Sequence, residues 1–254
     1  MPSGGRWSGL EKELRKSRGP LLAGIDEVGR GPLAGPVVAC AVVMPPEARA
    51  IRGVDDSKKL TAAERDKLAG RIAERALAVA VGAASVREID RLNIYHTAVL
   101  AMRRALGRLK ITPDHVLVDG NRIRTLGVEH TAVVGGDGCC HSIACASIVA
   151  KVTRDRLMRA LARRHPHYRW ETNAGYGTPE HHAGLASHGL TSHHRRSFAP
   201  VLQLGLALTV SPAPEAVTLA DVLQDVLVPD ASTLAAAPAI DLPEPIILPP
   251  EPCP

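Results

Sequence analysis

The sequence predicts an α/β fold, a mixed sheet flanked by helices, and three features predict it. Two apolar runs rich in Val and Ile, 21–26 and 37–43, are separated by Gly and Pro and read as strands that return on themselves. Two helix-opening patterns follow, and then a third strand, "VLVD", with a long helical stretch behind it. The order strand pair, helices, strand, helix suits a sheet covered by helices.

Taken along the chain, Thr61 and Glu64 form a capping box, each side chain serving the other's backbone donor, and open a helix predicted through about Ala80. Ser85 and Glu88 repeat the device. Beyond them Leu92, Val99, Met102, Leu106 and Leu109 fall on one helical face that stops before Pro113, a stripe that predicts core packing. "DHVLVDGNRI" then predicts a short strand ending in Asp119 and Gly120. Asp137 stands just ahead of the last long helix, whose Ala144, Ala146, Ser147 and Ala150 would let it lie close against a sheet.

Composition narrows the class. At 254 residues the chain can bury a substantial core, but only Trp7, Trp170, Tyr95, Tyr168, Tyr176 and Phe198 are aromatic, so Ala, Val and Leu must fill it. Cysteines at 40, 139, 140, 145 and 253 lack the spacing of a zinc site or a secreted disulfide framework. The first twenty residues have no apolar signal-peptide core, and no run of eighteen apolar residues occurs. A cytoplasmic protein without membrane contact is expected.

The net charge of +5 hides an asymmetry. From Ser211 onward there are seven acids and no Lys or Arg, so residues 1–210, with all 31 basic residues and 19 of the 26 acids, carry +12. A basic body of this kind suits an anionic partner. Three parts are expected: a basic N-terminal extension (1–20), a catalytic body (21–205) and an acidic, Pro- and Ala-rich tail (206–254) of disordered composition. Within the tail, Leu219, Val222, Leu223 and Val226 share one helical face.

Two strands end in acids: Asp26 and Glu27 before a glycine, arginine, glycine turn, and Asp119 before Gly120. In an open α/β sheet the crevice beyond the strands' carboxyl ends is the usual place for a site. Each acid has an ordinary account: Asp137 capping its helix, Asp119 and Gly120 turning the chain, Glu27 pairing with Arg30. Were they to converge, repulsion would raise at least one pKa sharply unless a cation intervened. An all-oxygen set suits Mg²⁺ or Mn²⁺ rather than Zn²⁺. Two such ions about 4 Å apart clamp an in-line phosphodiester hydrolysis.

Five stretches in order, "GIDEVGRGPLAGPVV", "DDSKKLTAAERDKL", "VLVDGN", "GGDGCCHSIACASIVAKVTRD" and "AGYGTPEHHAGLASHGLTSHHRRSFAPV", resemble the signature blocks of the ribonuclease HII family from about Leu21 to Val201. The resemblance implies a ribonuclease H-like mixed sheet with a helical C-terminal portion that contacts substrate. It implies cleavage of RNA in RNA·DNA hybrids and at single ribonucleotides embedded in duplex DNA, leaving 3′-hydroxyl and 5′-phosphate ends. By the same resemblance Asp26, Glu27, Asp119 and Asp137 are the catalytic and metal-binding acids, with Mg²⁺ or Mn²⁺ as cofactor. Gly29, Arg30 and Gly31 match the loop that reads the 2′-hydroxyl, and Tyr176 matches the aromatic that senses the sugar at the RNA-to-DNA junction. Lys58 and Lys151 match basic positions near the nucleic-acid path. Ser142, Ser147 and Arg195 lie in matching blocks with packing or helix-end roles as an equal explanation. The His pairs 181/182 and 193/194 fall in the family's substrate-facing segment, and no metal site is expected there. A monomer is expected, with no known partner for the tail. The alternatives are a ribonuclease HIII-like or other superfamily nuclease, or a noncatalytic basic protein that binds nucleic acid.

Overall fold

The computed structural model describes residues 7–207; the acidic tail from Ser211, with its Leu219 to Val226 stretch, lies outside the described residues. Strand β1 (Leu22–Val28) pairs antiparallel with β2 (Val37–Val43), Ala23 opposite Val43 and Val28 opposite Val38. The connection between them is too tight for a crossover, which forces the reversal. Strand β3 (Ala78–Ala84) adds antiparallel to β2, while β4 (His115–Asp119) runs parallel to β1 and β5 (His130–Val133) parallel to β4. Among the described residues the order is β3-β2-β1-β4-β5.

Every residue of β2 is buried, so the strand is covered on both faces. Val37, Ala39, Ala41 and Val43 pack on α3 (Val86–Gly107) through Ala98, Ala101, Met102 and Ala105. Alternate residues Cys40 and Val42 meet Ala144, Cys145 and Ile148 of α5 (His141–Arg164). Small side chains replace the missing aromatics by bringing backbones close. Gly24 of β1 lies so near the Ser142 main chain that no side chain would fit, and Gly82 of β3 lies likewise against the Ala101 carbonyl.

The helix opened by Thr61 and Glu64, α2 (Ala62–Arg75), ends earlier than its sequence suggests. The Ala76 amide still bonds to the Ile72 carbonyl, but the Leu77 amide bonds to Val43, entering the sheet. Residues 78–84 are therefore strand, not helix. "ALAVAVGAA" suits either state locally, and the exposed edge of β2 decides. Helix α3 has both capping-box bonds from Ser85 and Glu88, but the run is broken at Asn93 (φ 68°, ψ 167°). The Asn93 side chain accepts from the Tyr95 and His96 amides and restarts the helix.

Within the N-terminal twenty residues, α1 (Gly9–Ser17) carries its own Ser8 and Glu11 capping box. Glu11 is fully buried, and its carboxylate also accepts from the His141 amide at 3.1 Å, the Ser142 amide at 2.8 Å and the Ser142 hydroxyl at 2.8 Å. It thus caps α5 from another element, where the N-cap residue Cys140 makes no side-chain cap bond. Helix α4 (Gly136–Cys139) leads into that capped end of α5, and beyond its other end follow α6 (Trp170–Asn173), α7 (Pro179–His188) and α8 (Ala199–Ala207). Helices α6, α7 and α8 gather around Leu157, Leu161, Tyr168, Trp170, Leu185 and Val201. No helix among the described residues is long and apolar enough to cross a membrane.

Candidate active site

The parallel pairing of β1 with β4 places the acids. The last couple paired between them is Ile25 with Val118, so Asp26 and Asp119 stand side by side where β1 and β4 part, each still paired on its other edge, Asp26 with Cys40 and Asp119 with Val133, and β1 runs on to Val28 rather than ending at its acids. Asp119 Oδ1 accepts from the Gly136 amide at 2.7 Å, which ties down the turn that delivers Asp137. Gly135 makes that turn with φ 67°, a conformation open to glycine. Carboxylate oxygens of Asp26, Asp119 and Asp137 all lie within 4.8 Å of one another. Asp26 and Asp137 are each 7% exposed.

Three carboxylates in one partly dry corner repel. Burial and then the neighbouring Glu27 push the Asp26 carboxyl well above the usual range, with Asp119 adding to the rise. Asp137 is raised by burial and by Asp119 and Asp56, against the pull of Lys58, whose Nζ lies 3.4 Å from Asp137 Oδ2. The donor set is all oxygen, partly open and electrostatically unsatisfied, which fits a hard divalent cation. Glu27 stands beside the trio rather than within it. Its carboxylate accepts from Arg30 Nη1 at 3.1 Å, and burial raises its pKa while Arg30 lowers it. The ordinary account of Glu27 is thus realised, whereas Asp137 does not cap α5, since Glu11 does.

Next to the acids the glycine, arginine, glycine turn is fixed by close approach. Gly29 (φ 93°) leaves no room for a Cβ against the Arg154 side chain. A Cβ on Gly31 would sit 3.4 Å from Cε1 of Tyr176, so that ring lies against the turn, and it is half exposed. A groove of about 330 Å³ runs from Glu27, Arg30 and Asp119 past Asn121 and Arg122 to the exposed Tyr95. Lys58 reaches the acids. Lys151 instead pairs with Asp155 at 2.6 Å and lines a separate groove with Arg65, Asp66 and Glu171.

One histidine of each pair differs from the expectation of a substrate-facing segment, while His182 stays exposed. His181 and His194 are buried beside Trp170 and Tyr168, because the segment's apolar partners Leu185 and Val201 pull it inward. Trp170 Nε1–H donates to His181 Nε2, which leaves His181 Nδ1–H to donate to the Tyr176 carbonyl at 2.9 Å. The Thr191 amide donates to His194 Nδ1, so His194 Nε2–H faces His181 Nε2 at 3.1 Å. Burial lowers both pKa values, that of His194 to about 3, and both rings are neutral. Arg154 and Arg195 are also fully buried near the turn. Arg154 was legible in part: with Ala150 and Met158 it falls at helical spacing on the buried face of α5.

The family model described as ribonuclease HII matches residues 23–201. The chain belongs to the ribonuclease HII family. It is similar to the ribonuclease HII of Paraburkholderia xenovorans, 52% identical over 209 residues that cover 81% of this chain and 84% of that one. With the ribonuclease HII of Granulibacter bethesdensis it is 55% identical over 204 residues, 79% of this chain and 93% of the relative. Among solved structures, ribonuclease H2 from Pyrococcus horikoshii OT3 superposes with a TM-score of 0.61 at 26% identity, covering 74% of this chain and 98% of that one. The ribonuclease HII of Archaeoglobus fulgidus, solved with PCNA, gives 0.58 at 25% identity, covering 69% and 93%. The protein is therefore a metal-dependent endoribonuclease of the type 2 ribonuclease H class, acting on RNA·DNA hybrids.

Proposed function

We propose that Asp26, Asp119 and Asp137, with Glu27 as a fourth acid, hold Mg²⁺ or Mn²⁺ and cleave the RNA strand of hybrids and single ribonucleotides embedded in duplex DNA. The convergence of three carboxylates within 4.8 Å where the parallel strands β1 and β4 part supports this most. When bound, the ions supply an activated water and neutralise charge on the leaving oxygen, giving 3′-hydroxyl and 5′-phosphate products.

The chain's own residues supply position. Gly29 and Gly31 let main-chain groups approach a minor groove, where a 2′-hydroxyl donates and accepts hydrogen bonds that deoxyribose lacks. Arg30 exchanges Glu27 for two oxygens of a phosphate, which it can bind in bidentate fashion, and so frees that carboxylate. Tyr176 lays its exposed ring on the sugar beyond the ribonucleotide. Lys58, largely exposed beside Asp137, meets the backbone near the cut, and Lys151 steadies duplex farther along. The catalytic body spans 21–205, with the basic segment 1–20 and the acidic tail 206–254 appended; the enzyme acts as a cytoplasmic monomer.

A cleavage map on duplex DNA with one embedded ribonucleotide, with and without divalent ion, tests this. Ion-dependent incision at the ribonucleotide, lost in Asp26→Asn, is expected. Cleavage that ignores the ion or survives Asp26→Asn would refute it.

A further inference from the structure

Two irregular segments carry the proposed substrate reading, the turn 29–36 and the turn around Gly175 and Tyr176, and neither is held by a strand ladder of any length. Their mutual bonds are main-chain ones from Leu33 and Ala34 amides to the Gly175 carbonyl, at 2.8 and 3.3 Å. Beneath them lie two guanidinium groups that are 0% exposed.

Arg154 reaches up from α5. Its Nε donates to the Pro36 carbonyl at 3.0 Å, Nη2 to Ala34 at 3.1 Å and Nη1 to Ala174 at 2.9 Å, so one side chain spans both turns. Arg195 donates from Nη2 to Gly29 at 2.6 Å, from Nη1 to Arg30 at 2.9 Å and from Nε to Gly35 at 3.0 Å. Its own amide donates to the Leu33 carbonyl, and Gly35 donates to the His193 carbonyl. A buried cation is expensive unless paired and hydrogen-bonded. Among the described residues neither guanidinium makes an ion pair that would offset that cost; carbonyl oxygens of the two turns do so instead. Only a planar fork with five donors can serve carbonyls spread this way, which excludes lysine.

We propose that Arg154 and Arg195 are positioning residues, Arg195 fixing the glycine, arginine, glycine turn and Arg154 fastening that turn to the Tyr176 turn, so that recognition of a ribonucleotide-to-DNA junction belongs to the joint rather than to either turn. This rests on the functional reading above. A site that discriminates one hydroxyl needs its groups held to about 0.5 Å, which irregular turns do not achieve unaided.

The test compares full-length wild type with Arg154→Lys, Arg195→Lys, Tyr176→Ala and the two doubles that combine a Lys variant with Tyr176→Ala. kcat and KM are measured on duplex DNA with one ribonucleotide and on a continuous RNA·DNA hybrid, with Mn²⁺ binding by calorimetry and thermal melting alongside. Each Lys variant is expected to lose at least tenfold more kcat/KM on the single ribonucleotide than on the hybrid, with Mn²⁺ affinity within twofold of wild type. Added to Tyr176→Ala, each should cost little further discrimination. Equal losses on both substrates, or losses that multiply with Tyr176→Ala, would overturn the joint and leave the arginines merely structural. Should a Lys variant fail to fold, Gly175→Ala, which crowds the Ala34 carbonyl at 2.6 Å, carries the same expectation and the same refutation. A wild type that cuts neither substrate would instead sink the functional reading itself.

Discussion

Asp26 is the residue at which stability and chemistry pull apart. Buried beside Asp119 and Glu27, its carboxyl is held well above its ordinary pKa, so the ionised form is a liability until a cation arrives. Asp26→Asn keeps the shape and removes the charge. Its cleavage rate should fall at least about 100-fold, since even the partners that merely orient a metal's ligands commonly account for about 10–100-fold, while the ion-free protein melts no lower than wild type. An ion-free variant that is markedly less stable would mean the charge is already satisfied by the protein. Tyr176 poses a subtler question, because its ring touches Gly31 from the exposed side. Tyr176→Ala should weaken discrimination at the junction more than overall duplex affinity, read from cleavage ratios against binding isotherms; equal losses would count against its role. The acids themselves were legible, since each ends a recognisable strand or precedes a recognisable helix. The buried histidines and the role of Arg195 were not, and Arg154 was legible only as a position at helical spacing, since a polar side chain facing partners from a distant segment leaves only a local break in polarity.

At the scale of elements, α1 and α5 are coupled through one carboxylate. Glu11 satisfies two amides and a hydroxyl at the start of α5 while closing its own capping box. Glu11→Ala strands those donors in a buried place, and a loss of about 2–4 kcal/mol in urea unfolding is expected. Glu11→Gln, which keeps an acceptor, should recover part of it. An Ala variant within about 0.5 kcal/mol of wild type would show that water replaces the carboxylate. Helix starts were legible because Thr61 with Glu64 and Ser85 with Glu88 announce themselves over four residues. Strand β3 was not, because "ALAVAVGAA" carries no period that separates strand from helix, and its state is set by the open edge of β2. Strand β5 is short and half-buried throughout, with no apolar face to betray it. Asn93, a local interruption in an otherwise continuous helical stripe, was hidden by the stripe itself.

The whole molecule carries its acid sensitivity in buried histidines. His141 is held to about 4 by burial, against the pull of Glu11, with Arg75 and Arg15 adding to the fall. His193 is held to about 4 and His194 to about 3, again by burial first. An unfolded histidine takes its proton near pH 6.5, so between there and about pH 4 the unfolded chain binds more protons than the folded one. Stability is therefore fully present above pH 6.5 and lost as pH falls. In Asp26→Asn, which removes the buried carboxyl whose raised pKa works in the opposite direction, denaturant unfolding at pH 7.5 and 4.5 should differ by several kcal/mol, on the order of 2 kcal/mol per ring. A flat profile would mean the rings are hydrated. The ordered signature blocks made the architecture readable from Leu21 to Val201, but how the helical C-terminal portion docks under the glycine turn was decided by contacts 120 to 166 residues apart in sequence.

The central claim is that Asp26, Asp119 and Asp137 share a hard cation. Anomalous diffraction from crystals equilibrated with Mn²⁺ measures this directly. The account predicts a peak within coordination distance of all three carboxylates, absent in Asp26→Asn; a peak elsewhere, or none at saturating ion, would contradict it.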